Sequence, residues 1–196
     1  MCIFVKVIKF MEIQETNSNH FVLKGLPSIL IGAYILVGAY IIKAILDKLV
    51  VTDESLETIS LNGIQLLILA VIFHVLVAST LTIYLIEKNK TKKLKKELWN
   101  LETKLILKKF VLGIVIITLT LLTLLEFDFY TYLTPIFLLF YGILLYILKN
   151  SNRKDFLILA ALSALLGVLS FMIPTYWYSS LVILGVAHIT YGVVNR

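Results

Sequence analysis

The sequence predicts an all-α fold, a polytopic helical membrane protein of about six transmembrane helices with a basic amphipathic helix between spans 2 and 3. Three observations predict it. Apolar residues make up 60% of the 196 positions and charged residues only 15%, giving a mean hydropathy of +0.96. A soluble core at this chain length cannot hide that much apolar surface. Six apolar stretches reach or approach the roughly 20 residues that carry a helix across the hydrocarbon layer. Finally, sixteen of the eighteen lysines and arginines fall in alternate connections, so the charge pattern itself counts the spans.

Residues 1–25 read as a polar cytoplasmic tail. Its start, "MCIFVKVIKF", is interrupted by Lys6 and Lys9 and is followed by no small-residue cleavage site, so no cleaved signal peptide is expected, and Met11 is a second candidate start. Cys2 is the one cysteine, which excludes an intramolecular disulfide and a cysteine metal cluster.

The first span, Leu26 to Leu46, has Pro27 in its first turn, where a missing N–H costs nothing. With the second span, Gly63 to Leu85, it forms a first hairpin over 26–85. The region 110–196 holds two further hairpins: Phe110 to Leu125 with Tyr132 to Leu148, then Phe156 to Ile173 with Tyr178 to Val194. The first, second and fifth stretches are of full spanning length; the third, fourth and sixth are short. All are continuously apolar, without the alternation of membrane strands, which favours helices over a barrel. Pro174 lies in the tight "IPTYWYSS" connection and Pro135 in the first turn of the fourth span.

Orientation follows from the charges. With both termini in the cytoplasm of a bacterial plasma membrane, the inner segments hold Lys6, Lys9, Lys24, nine lysines of the connection 86–109, Lys149, Arg153, Lys154 and Arg196. The outer segments hold Lys43 and Lys48 among Asp47, Asp53, Glu54, Glu57, Glu126 and Asp128. Tyr130, Tyr132, Tyr176, Trp177 and Tyr178 then gather at the outer interface, where amphipathic rings prefer to lie.

The connection 86–109 carries nine lysines and three glutamates, a net +6 that equals the charge of the entire chain. It is first of all a topology determinant. Leu94, Leu98, Leu101 and Leu105 recur at helical spacing, so the segment is expected to lie along anionic lipid at the cytoplasmic face of the bilayer or to extend the third span inward. Lys92, Lys93, Lys95, Lys96 and Trp99 are the candidate contacts for lipid headgroups, or for a protein partner or a second copy in a homo-oligomer. Nucleic acid is not an expected partner, because Trp99 is the only aromatic residue among those lysines.

No phosphate loop, nucleophile elbow or zinc-protease motif occurs, and no span contains a pair of carboxylates. No cofactor or metal is expected. His20 lies in the tail, which leaves His74 in the second span and His188 in the sixth as the candidate intramembrane polar site, since an ionisable group at that depth is functional by default. His74 shares a helix face with Ala70 and Ala78, and His188 with Gly185 and Gly192, so both suit packing against other helices, while Leu181 limits the thin face of the sixth span. One reading is a neutral imidazole hydrogen-bonded to a neighbouring helix; the other is a proton relay or half of a metal site, with no carboxylate or thiol near to complete a shell. Gly25, Gly32 and Ala39 at intervals of seven, and Ala160, Ser163, Ala164, Gly167 and Ser170 in the fifth span, point to close helix approach. A weak internal repeat relates the last two hairpins: Thr131-Tyr132 echoes Thr175-Tyr176, and Tyr141-Gly142 echoes Tyr191-Gly192.

The stretch from Leu139 to Gly192, with its Tyr141-Gly142, basic turn, Leu-Gly-rich helix and closing Gly185, His188, Ile189, Tyr191 and Gly192, resembles the end of a group of uncharacterised small multi-span bacterial membrane proteins. Its hairpin is also distantly similar to the repeated hairpins of the acid-resistance HdeD-like proteins, in which proline marks the turn. The resemblance covers a little over a quarter of the chain and implies a bacterial membrane protein without assigning an activity. The expected function is that of a non-catalytic accessory, regulatory or stress-related membrane component. The alternative is a small-solute or proton transporter or channel working as an oligomer, and a membrane-embedded enzyme is disfavoured by the missing carboxylates.

Overall fold

The computed structural model describes residues 25–51, 61–94, 101–127, 129–148 and 155–194. Six helices occupy them: α1 (Leu26–Val51), α2 (Leu61–Leu94), α3 (Leu101–Glu126), α4 (Leu133–Ile147), α5 (Asp155–Met172) and α6 (Trp177–Val194). Single 3-10 turns, Tyr130–Tyr132 and Pro174–Tyr176, lead into α4 and α6. There is no strand among the described residues. The chain is an all-α, multi-pass membrane protein: its helices expose large apolar side chains such as Val37, Leu119, Ile158, Leu165 and Val193, a distribution suited to lipid and not to water.

By length and composition, four segments are able to cross a bilayer: Leu26–Asp47, Ile68–Ile86, Leu107–Glu126 and Pro174–Val194. Two apolar helices are shorter, Leu133–Ile147 and Leu157–Met172. This revises the expected lengths. The third and sixth spans are longer than their most apolar windows, because the helical path continues through Leu107 at one end and through the aromatic turn at Pro174 at the other. The fifth helix ends at Met172, one residue before the expected limit, because Pro174 lacks an N–H to continue the helix and Ile173 leaves it with φ −127°.

The helices stand side by side in chain order, each packed on the next, and α6 closes back on α1 to complete a ring. The α1/α6 and α4/α5 contacts are the most extensive; α2 and α3 touch only lightly. Close backbone approach explains the tight pairs. A Cβ on Gly192 would stand 2.7 Å from the Gly25 carbonyl oxygen, one on Gly185 would stand 3.0 Å from that of Gly32, and one on Gly32 would collide with the Gly185 carbonyl. Gly25 also has φ +69°, open to glycine at little cost, as the chain enters α1. Likewise, a Cβ on Gly142 would stand 2.9 Å from the Ala160 carbonyl oxygen, and Ala160 and Ser163 are buried against α4. The core between the helices is built from Ile31, Ile35, Ile117, Leu121, Leu138, Leu145 and Leu184 with their neighbours.

Because Gly25 meets Gly192 and Gly32 meets Gly185, α1 and α6 are antiparallel, and the start of α1 lies at the same end of the ring as the finish of α6. That end also receives the basic connection. Residues 86–94 continue α2 and residues 101–109 open α3, so the described parts of the connection prolong the flanking spans. Lys92 and Lys93 lie in the last turn of α2, whereas Lys95, Lys96 and Trp99 fall outside the described residues. The opposite end carries exposed Lys43, Asp47 and Glu126 with an aromatic collar, in which Tyr132 packs on Phe129 and Phe171, and Trp177 on Tyr178.

Candidate functional site

The face of α1 that meets α6 carries Gly25, Ser28 and Gly32; the face of α6 that meets α1 carries Gly185, His188 and Gly192. The spacing is three and then four on both helices, so in the antiparallel pair the serine and the histidine meet between two glycine contacts. His188 is completely buried there, 0% exposed. Its Nδ1 lies 3.2 Å from Ser28 Oγ, and Ser28 Oγ donates to the His188 carbonyl oxygen at 2.8 Å. From α4, Tyr141 OH reaches His188 Nε2 at 2.9 Å.

These bonds assign the protons. Serine has a single hydroxyl hydrogen, and it is committed to the His188 carbonyl, so Ser28 Oγ accepts from Nδ1–H. In the neutral ring that an apolar interior favours, Nε2 is then the bare nitrogen and accepts the Tyr141 hydroxyl hydrogen. The result is a neutral imidazole in one tautomer with both nitrogens occupied, locking α1, α4 and α6 together. Phe137 stacks on Tyr141 one helical turn away, with ring centroids 5.7 Å apart and planes at 18°. Other bonds between helices repeat the theme at lower density: Tyr34 OH with Thr82 Oγ1 at 3.1 Å joins α1 to α2, and Ser163 Oγ donates to the Leu138 carbonyl at 2.7 Å, joining α5 to α4.

Towards the acidic end the helices enclose a cavity of about 670 Å³, walled by α1, α2, α4 and α6 with the turn at Pro174. Its innermost lining residues are Ile35, Leu76, Phe137 and Leu181; its outermost are Leu46, Ile68, Thr131 and Thr175. From Ile35 to Leu46 the depth along α1 is about 16 Å, half of a hydrocarbon layer of roughly 30 Å. The cavity thus begins where the glycine contact of α1 and α6 stops, at bulky Leu181. The Ser28–His188–Tyr141 network lies one to two helical turns below its floor. Lys43 Nζ sits 4.5 Å from the Tyr178 ring near the mouth.

The two intramembrane histidines are not brought together. His74 is exposed on the side of α2 away from the cavity, which takes Ile68, Val71, Ile72, Val75 and Leu76 from that helix. Its ring makes no hydrogen bond among the described residues. Among the described residues, no three histidine, cysteine, aspartate or glutamate side chains converge to hold a metal. Ser28 and Tyr141, which complete the buried site, are not evident from residue type alone. The signal for Ser28 is its matched three-and-four spacing with His188; Tyr141 is signalled by its place before the close-packed Gly142 and by the echo of that pair in Tyr191-Gly192. Comparison of the chain with protein-family models, with characterised proteins and with solved structures finds no match.

Proposed function

We propose that the chain is a non-catalytic accessory or regulatory component of a bacterial plasma membrane, with both termini cytoplasmic and its basic end against anionic lipid. The resemblance of the stretch 139–192 to uncharacterised small bacterial membrane proteins, and the distant similarity of its hairpin to the acid-resistance HdeD-like proteins, agree with this reading. One observation carries it: both ring nitrogens of His188 are spent on Ser28 and Tyr141, so this buried imidazole acts as a packing element. A relay needs partners that hand the proton on, and Ser28 spends its one hydroxyl hydrogen on the His188 carbonyl oxygen. The test is His188→Leu in proteoliposomes and in detergent. The expected result is a lower unfolding temperature with no change in proton or solute flux; abolished flux in a protein of unchanged stability would overturn the reading.

The cavity favours a second reading, a small-solute or proton transporter working as an oligomer. It enters from one face, stops halfway through the layer and ends above the histidine network, as one half of an alternating pathway would. Ala39→Phe would narrow it. Loss of a measured flux in that variant, with folding intact, would favour transport over the accessory role.

A further inference from the structure

His74 is the one imidazole among the described residues that the ring leaves facing lipid. It lies nine residues after Gln65 and thirteen before Glu87, about 14 Å and 20 Å along the helix, and so within the hydrocarbon layer. A neutral imidazole has one donor and one acceptor. Leaving both without partners in hydrocarbon is costly, and the described residues of its own chain supply none.

The residues around it form a seam. Ala70, His74, Val77, Leu81 and Tyr84 follow at spacings of four, three, four and three, the period with which two helices pack in a left-handed pair. Ala70, His74 and Leu81 are exposed, and Val77 and Tyr84 half-buried. Ala70, one turn before the imidazole, is small enough to let a second helix come close.

We propose that α2 pairs along this seam with α2 of a second copy of the chain, placing the two His74 side chains opposite each other in the membrane. Copies inserted the same way are related by a two-fold axis along the membrane normal, so each residue of the seam meets its own counterpart at one depth. Imidazole suits such self-contact because the N–H of one ring donates to the bare nitrogen of the other. An imidazole at mid-membrane in a seam that is apolar as far as Tyr84 also sets the register, since sliding by a turn would strand both rings in hydrocarbon. A heterologous partner would need its own matching polar group at that depth, whereas a second copy brings one by symmetry. The inference is independent of the accessory reading and holds equally for a transporter.

The test uses the full chain with Cys2→Ser, reconstituted in phospholipid vesicles. Cysteines at Ala70 or Leu81 are oxidised to disulfides, with Val115→Cys on the exposed face of α3 as control, and association is followed by energy transfer between labelled copies during lipid dilution. Covalent dimers from the two seam positions and not from the control are expected. His74→Leu should weaken association about tenfold, the effect of one hydrogen bond between membrane helices at the upper end of its range. His74→Asn, again one side chain with donors and an acceptor, should restore it, and the unfolding temperature of the dilute His74→Leu monomer should match that of the parent. A monomer at every dilution, equal cross-linking at Val115, undiminished association in His74→Leu, or disulfides to a different protein in native membranes would each overturn the proposal.

Discussion

Each ring nitrogen of His188 has one named partner, so the two substitutions that remove those partners should behave alike. Tyr141→Phe strands Nε2 and Ser28→Ala strands Nδ1–H, and leaving a buried polar group unsatisfied costs about 1–3 kcal/mol. Reversible unfolding in mixed micelles should show losses in that range for both. Ser180→Ala should go the other way. Its hydroxyl is fully buried without a hydrogen-bond partner among the described residues, so its removal should leave stability unchanged or raise it. His188 was legible in the sequence because an imidazole within an apolar run must find a protein partner. Which residues partner it was not, since Tyr141 is 47 positions away and Ser28 is 160, and only the order of helices around the ring brings them together. His74 obeys the same rule with the opposite result: its flanking alanines mark a packing face, and the face turns outward.

At the level of the helices, backbone contact decides the tight pairs. Gly32→Ala and Gly192→Ala would press a methyl group against backbone oxygens of the facing helix, atoms that cannot swing aside as a side chain can. Overpacking of this kind costs about 1–3 kcal/mol, and the same unfolding assay should detect it. By contrast, Leu119→Ala on the exposed face of α3 should change stability little, because that side chain leaves lipid for lipid. The basic connection yields a different expectation. Replacing Lys92, Lys93, Lys95 and Lys96 with glutamine should weaken association of the isolated segment 86–109 with anionic vesicles and restore little when salt is lowered; unchanged association would remove the lipid contact from the account. The glycine spacings of α1 and the small residues of α5 foretold close approach correctly. Helix lengths were less legible, because aromatic turns and lysine-bearing ends carry helical backbone beyond the most apolar windows.

For the whole molecule, an even number of antiparallel helices closed by α1 on α6 places both ends of the ring on one side. Impermeant thiol labelling of single cysteines introduced at the exposed Leu26 and Val193 should therefore show the same sidedness, protected in intact cells if the positive charge marks the cytoplasm. Opposite sidedness would break the closure. The alternation of charge made the number of helices legible, whereas nothing in the linear pattern announced that the first helix would meet the last, or that a cavity would open above their contact. That closure hangs on a histidine acting as a fixed structural bond, which is the central claim. It is tested most directly by nitrogen-15 solid-state NMR of the His188 ring in lipid bilayers. The account predicts one neutral tautomer with the proton on Nδ1 and Nε2 accepting from Tyr141, shifting on Tyr141→Phe. An imidazolium, or two tautomers in exchange, would show a proton in motion at that site and contradict it.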